Sequence, residues 1–518
     1  MESLRPDGMA RAGRDTRLAL VLGLAGLSVS GLAFAQAQQP QTPDVLGGPT
    51  GIQFGPSIGI NQLFTDNAVG TQPGQPQLVT QISPGISIRG ETPHLRIDFN
   101  YAPSFTHFDN GGSPDRVDQN FNTSGVATPI DNLTINFQGF ATPANAAGNA
   151  SNQQGILVPS NNRILYYVGN IAPHYQQQFG DFATLDITYG VNSANTSVEG
   201  TQVPGLGIGS TSSLGQNEVV SIGSAEAFGR LRLSADFSHT SSTGSGMNTE
   251  STTGVETVSL FYHINRTYTV SGSIGYQSID YPANGLTPAY KSNGVTWTLG
   301  MTITPNALST IALGYGKQQG AYNPSVQAGY ALGPRTNISA SYLVSVQNQL
   351  TASLQNLKYL TYDQFGNPID SRTGLPFSGV NQSFGSQNVL FRDKPALVAI
   401  SHQFTRSGVT LTGQYEVRNS LTGVSQQSQT LGATIGYSRQ FTPLVQGAVN
   451  VGYTVDSSKT AGTPESRSRS VSLSGTVFYN LSDTTTINVV EDFFRNISND
   501  SAQNSLTQQF TVSLRKSF

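Results

Sequence analysis

The sequence predicts an all-β protein: a single transmembrane antiparallel up-and-down β-barrel of about 22 strands, within a range of roughly 18 to 24, behind a cleaved signal peptide. Three observations predict it. Charged residues make up 11% of the 518-residue chain, against about 25% in ordinary soluble domains. Apolar and polar residues alternate with a period of two through most of residues 51–518. Aromatic residues recur at two fixed distances from short turn signals along the chain.

Composition alone is awkward for most classes. Hydrophobic residues reach only 36%, and 56 glycines stand among abundant Ser, Thr, Asn and Gln. That is too little apolar surface for a bundle of membrane helices and too little charge for a disordered chain. A spanning strand resolves the conflict because only alternate side chains meet lipid. The formal net charge of -3 argues against a nucleic-acid partner. The chain has no Cys, which excludes disulfides, thiolate zinc sites and cysteine nucleophiles.

Residues 1–35 read as a signal peptide. Arg11, Arg14 and Arg17 precede an apolar run from Leu18 to Leu32, and Ala33-Phe34-Ala35 supplies a small-x-small cleavage site. Glu2, Pro6 and Asp7 are unusual at such a start, which leaves Met1 and Met9 as alternative initiation points. The run is shorter than the ~20 residues that a spanning helix needs. Residues 36–50 are polar, rich in Gln and Pro, and read as a flexible lead-in.

From residue 51 the alternation begins. Val409, Leu411, Gly413, Tyr415 and Val417 fall on one face, with Thr410, Thr412, Gln414, Glu416 and Arg418 on the other. Residues 95–101, 183–191, 231–237, 295–303, 445–455 and 471–479 repeat the pattern. A soluble sandwich would alternate too, so the connections decide. Short turn signals stand at Thr92-Pro93, Asp131-Asn132, Gly180-Asp181, Gly229-Arg230, Asn265-Arg266, Pro305-Asn306, Gly333-Pro334, Ser407-Gly408, Pro443 and Ser482-Asp483. Longer Gly-, Ser-, Asn- and Thr-rich loops lie between them, as outer-membrane barrels require.

Tyr101, Tyr189, Tyr276, Tyr315, Tyr342, Tyr415 and Tyr453 follow the short turns by seven to ten residues. At a tilted strand's rise that is about 18–25 Å, the height of an apolar band. Phe179, Phe228, Tyr262, Tyr330, Phe404, Phe441 and Tyr479 fall just before the turns. Two belts at membrane spacing imply a barrel in the outer membrane of a Gram-negative bacterium, bounded by membrane lipid and lipopolysaccharide.

No catalytic or metal-binding constellation stands out, and no cofactor is implied. The six His are scattered without an i, i+4 pair. Ser401-His402 and Glu491-Asp492 are adjacent on strands, which turns their side chains to opposite faces. The wet faces carry Arg96, Asp98, Asp186, Arg232, Asp236, Glu416 and Arg418, expected to point into the lumen. They either pair with one another or line a polar conduit for a hydrophilic solute.

Residues 349–386 form the one long stretch without alternation. Tyr359, Tyr362, Asp363, Phe365, Asp370, Arg372 and Phe377 make it a candidate constriction, either folded into the lumen or packed outside on neighbouring loops. The final segment, Phe510 to Phe518, is an amphipathic strand with a carboxy-terminal Phe. It is similar to the signal that the barrel-assembly machinery recognises, with Lys516 standing where an apolar residue is usual.

Two stretches carry a family resemblance. Phe64-Thr65-Asp66-Asn67, Gln81 to Gly90 and Leu95 to Tyr101 form the first, and Phe391-Arg392-Asp393-Lys394 the second. They resemble the outer-membrane barrels associated with PEP-CTERM and exopolysaccharide loci, related to beta-barrel porin 2. The resemblance implies a role in moving or anchoring surface polysaccharide, and no catalytic residues. The function expected from sequence is therefore a passive conduit for exopolysaccharide or another hydrophilic solute. A general diffusion porin and a structural or adhesive surface barrel are the alternatives. An energised transporter is disfavoured at this point because no plug domain fits between residues 36 and 50.

Overall fold

The computed structural model describes residues 51–66, 76–109, 115–145, 163–199, 210–245, 250–283, 288–347, 360–362, 368–370, 390–422, 426–499 and 504–518. Strands from Gly51–Thr65 to Ser505–Ser517 are hydrogen-bonded into one antiparallel sheet of 25 segments. Three of its strands are interrupted by a two-residue break: Leu95–Tyr101 with Ser104–Phe108, Arg116–Asp118 with Phe121–Ile130, and Thr336–Tyr342 with Ser345–Gln347. The sheet is thus a barrel of 22 strands, the number the turn signals predict. Its first and last strands pair from Ser57↔Ser517 to Thr65↔Gln509, which closes the cylinder and leaves no edge. Among the described residues the sole helical element is the short 3-10 turn Glu226–Phe228.

Directly paired residues lie on the same face of a sheet, so the register separates the two surfaces. Leu411, Ile435, Val451, Leu473 and Phe493 form one continuous row across five strands. The first four of these are exposed although apolar, as a face meant for lipid must be. Chain neighbours on the other face are polar and shielded: Thr412, beside Leu411, is 3% exposed and Asp492, beside Phe493, 9%. Side chains on the concave side of a closed sheet converge, so this shielded polar face is the interior. The alternation in the sequence is the imprint of these two environments.

At one end of the cylinder the connections are short. All ten occur within two residues of the turn signals. Asn265 Oδ1 accepts from the backbone N–H of Thr267 at 2.8 Å and of Tyr268 at 2.9 Å. Asn306 Oδ1 accepts from Leu308 N–H at 2.9 Å. These Asx contacts satisfy amides that the ladder leaves free. The carboxy terminus lies at the same end, where Phe518 N–H donates to the Pro56 carbonyl at 2.9 Å.

At the opposite rim the shortest connection between strands is a tight turn. The strands Ser309–Gln318 and Ala321–Gly333 are joined by only Gln319-Gly320, with φ of 51° and 73°. Positive φ at both central residues suits a tight hairpin, which needs no long loop. This hairpin is short beside the 17-residue strand Tyr290–Asn306, so it leaves a notch in the rim. Neighbouring strands seal it. Ile279 and Tyr281 on one side pack with Leu390 on the other, supported by Tyr290, Val346 and Leu421. Gln319 N–H donates to Gln277 Oε1 at 2.7 Å, and Val346 N–H donates to Gln319 Oε1.

Both aromatic belts lie on the outward face. Tyr189, Tyr276, Tyr315, Tyr415 and Tyr453 are exposed towards this rim, and Phe179, Phe228, Tyr262, Phe404, Phe441 and Tyr479 near the short turns. Tyr101, Tyr330 and Tyr342 share the face through their partners Ile86, Ile338 and Val326. Trp297 joins the rim belt, 6.1 Å edge-on from Tyr315.

Candidate functional site

The densest group of charged side chains on the inner face lies at the level of the rim belt. Period-two alternation puts Asp393 (in Phe391–Gln403), Glu416 and Arg418 (in Ser407–Ser420), Thr430 (in Gln426–Gln440) and Asp456 (in Val445–Thr460) on the interior. Register then assembles them: Asp393 faces Arg418, Glu416 faces Thr430, and Thr430 faces Asp456.

Arg418 is the hub. Its Nε donates to Glu416 Oε1 at 3.0 Å and lies 3.4 Å from Asp393 Oδ1, while its guanidinium also reaches Glu416 through Nη2. The guanidinium stands 5.2 Å over the ring of Phe391, a cation–π contact. Gln347 Nε2 donates to Asp393 Oδ2 at 3.2 Å, and Thr430 Oγ1 donates to Asp456 Oδ1 at 2.7 Å. The side chains of Arg418 and Asp393 are only 5% and 6% exposed. Desolvating two ions costs several kcal/mol each, and the Coulomb attraction offsets this only when hydrogen bonds satisfy the remaining atoms. Here two carboxylates, a ring face and an amide share that task. Of Arg418, Asp393 and Glu416, only Glu416, 25% exposed, is open enough to meet whatever enters the mouth.

The other sequence-predicted interior residues share the inner face but sit elsewhere on the wall. Asp98 pairs with Arg89 at 3.6 Å, both well exposed, and Arg96 faces Glu91 in the register. Asp186 and Asp236 flank Ser221, which faces both across the strands. Ser221 Oγ and Ser234 Oγ donate to Asp236, while Gln176 Nε2 donates to Asp186 Oδ1 at 2.9 Å and His174 Nε2 lies at 3.2 Å. Arg232 Nη1 donates to the Ser224 carbonyl at 3.3 Å. The structure therefore brings Asp186 beside Asp236 and Glu416 beside Arg418, but not all seven residues into one site.

Asp393, Asp456, Asp492, Arg116 and Asp118 belong to the same inner face and are missed by the sequence reading. Asp118 is 2% exposed and lies 3.3 Å from Arg116, and Asp492 is bonded to Ser474. Alternation would have found Asp456, which stands between Val455 and Ser457 in a clear strand.

Of the candidate constriction residues, only Tyr362 and Asp370 lie within the described residues. They belong to the small hairpin Leu360–Tyr362 with Pro368–Asp370, in which Tyr362 faces Pro368 and Leu360 faces Asp370. Tyr359, Asp363, Phe365, Arg372 and Phe377 lie outside the described residues, as does the direction in which the loop folds. Residues 1–50, with the signal-peptide segment, are outside them too.

No group of three or more potential metal-ligating side chains occurs among the described residues. Ser401 faces Thr410 on the inner surface, whereas His402 points outward to Thr336 at 2.7 Å and Phe404. Glu491 and Asp492 likewise divide between the faces, Glu491 exposed and Asp492 shielded.

Comparison with known proteins bears on the whole cylinder rather than on this cluster. No family model matches the chain. No curated protein matches it. Among solved structures it is similar to the FrpB iron transporter from Neisseria meningitidis in its F3-3 variant, with TM-score 0.50, 9% identity, and 90% of this chain and 81% of that one covered. The F5-1 variant gives TM-score 0.50 at 10% identity, with 90% and 83% covered. At such identity the likeness is one of fold. It corrects the expectation of a passive conduit for exopolysaccharide or another solute, and of a diffusion porin. The solved structures it resembles are transporters. Barrels of 16–18 strands leave an aqueous channel, whereas 22-stranded outer-membrane transporters enclose a plugged lumen.

Proposed function

We propose that this chain is the membrane barrel of an outer-membrane uptake system, which captures a specific ligand at its rim and moves it inward by an energised step. The 22-strand closure carries this reading. A cylinder of that width left open would pass solutes indiscriminately, and barrels of this size serve transporters rather than porins. The fixed charges around Arg418 give the mouth groups that can discriminate between ligands. An iron complex is the first ligand class to test, since the similar solved structures are iron transporters.

The test is uptake of radiolabelled ferric chelates by cells that carry the intact protein or its Glu416→Gln, Asp456→Asn variant. Both changes keep side-chain shape and leave the Arg418–Asp393 pair in place. The variant should lose at least about tenfold in apparent affinity, the scale of one lost charge-assisted hydrogen bond. Heat-modifiable gel mobility checks that it still folds. Uptake equal to that of cells lacking the gene, for every chelate tried, would count against iron as the ligand. Unchanged affinity in the variant would remove the mouth cluster from recognition.

A further inference from the structure

The outer wall carries a second charged feature that uptake does not use. Residues 466–470 read Ser-Arg-Ser-Arg-Ser in the strand Ser466–Ser482. Ser470 is buried on the inner face, so Arg467 and Arg469 lie on the outward face with Val471, Leu473 and Val477. The register sets two more cations beside them. Arg495 in Thr485–Ser498 faces Val471, which also faces Tyr453 of the rim belt. Arg469 faces Val455 and Ile497, and Arg467 faces Ser457. Lys459, at the end of Val445–Thr460, faces Gln427 on the other side.

Lys459, Arg467, Arg469 and Arg495 thus form a diagonal run over three adjacent strands. It begins level with Tyr453 and climbs towards the rim. Successive members are separated by about 7–8 Å, the spacing of diagonal neighbours or of alternate residues on a strand. All four side chains are exposed, and none makes an ion pair or side-chain hydrogen bond among the described residues. The nearest carboxylates on this face are Glu465, just beyond the strand end, and Glu491, below Arg495 and bonded to Gln508 Nε2 at 3.0 Å.

Arg89, Arg116 and Arg418 on the inner face and Lys291 on the outer face each have a carboxylate within 3.6 Å. Other outward strand cations, Lys317, Lys394, Arg439 and Lys516, also lack an ion pair among the described residues, so what sets this run apart is that four cations cluster. Four clustered cations left without such a partner are complementary to an anion that the protein does not itself supply. Their height narrows the choice. An aromatic belt marks the boundary between hydrocarbon and headgroups, so the run occupies the headgroup layer on the rim side. Guanidinium groups bind phosphate oxygens bidentately, and three of them with a lysine can engage more than one phosphoryl group.

We propose that Lys459, Arg467, Arg469 and Arg495 form a docking site for a phosphorylated glycolipid headgroup of the extracellular leaflet. The site rests on the placement of the barrel in the outer membrane, but not on uptake. Full-length protein purified in detergent should be titrated with diphosphorylated lipid A, its dephosphorylated form and inorganic phosphate, with bound copies counted by native mass spectrometry. The intact protein should bind the diphosphorylated lipid at least tenfold more tightly than either other probe. The R467Q/R469Q/R495Q variant should lose that preference, while R89Q, on the inner face, should keep it. Equal binding of inorganic phosphate would overturn the lipid assignment. Equal retention by the triple variant, or no preference in the intact protein, would overturn the site. Heat-modifiable mobility of each variant separates these outcomes from misfolding. Uptake assays on the same variants distinguish failure of the lipid site from failure of the transport reading.

Discussion

At the scale of single residues, the environment of a strand side chain follows from its parity. Val449 is 44% exposed on the outward face, between Tyr437 and Gly475 in the register, while its neighbour Asn450 lies inside between Gly436 and Ser474. Arg at Val449 should therefore cost about 2–4 kcal/mol, the penalty for a cation near the membrane midplane. Arg at Asn450 should be tolerated, since it enters a polar interior. Chemical unfolding in liposomes measures both, and equal destabilisation would mean that the faces are exchanged. Parity made the interior placement of Asp186, Asp236, Glu416 and Arg418 legible from the sequence. It failed at Asp393 because Arg392-Asp393-Lys394 puts three charges in succession, which hides any alternation. In the structure Arg392 and Lys394 share the outward parity and Asp393 alone turns inward. Pairing of Asp393 with Arg418 depends on the register of two strands, and the sequence does not write register explicitly.

At the scale of elements, most short turns were legible because they carry Asn, Asp, Gly or Pro: Asn265 and Asn306 accept from free amides, and Gly180 and Gly229 take positive φ. The rim connections were less so, since loops have no periodicity to read. The Gln319-Gly320 hairpin was not legible because Lys317-Gln318-Gln319-Gly320 carries none of the Asn-Gly, Asp-Gly or Pro signals of a two-residue turn. The closing strand makes a separate prediction. Phe510, Val512 and Leu514 face outward at 45%, 38% and 42% exposure, and Phe518 continues that row beyond Lys516, whose Nζ lies 5.2 Å over its ring. Deleting Phe518 removes the terminal apolar position together with its backbone bond to Pro56 at the seam, and replacing it with Asp removes the apolar position alone. Folded protein, read as heat-modifiable mobility on gels, should fall severalfold. Undiminished folded protein would show that the last residue plays no part in assembly.

At the scale of the whole molecule, strand number was readable and function was not. Twenty-two strands follow from counting alternating segments, and the structure closes with that number. The passive conduit drawn from the sequence came from loose motif likeness and from a lumen assumed to be open. A resemblance of strands says little about what passes between them. Interior charge is only partly informative, because Arg418 and Asp393 are shielded and paired, which leaves Glu416 as the more open member of the cluster. The width of the cylinder, and a likeness of fold to solved iron transporters, are what the proposal of uptake starts from.

The central claim, energised uptake, is tested most directly by its dependence on cellular energy. Cells expressing the protein should accumulate a radiolabelled ferric chelate, and a protonophore that collapses the proton-motive force should reduce the rate to that of cells lacking the gene. An unchanged rate after collapse, proportional to external concentration, would contradict the account and describe a passive pore.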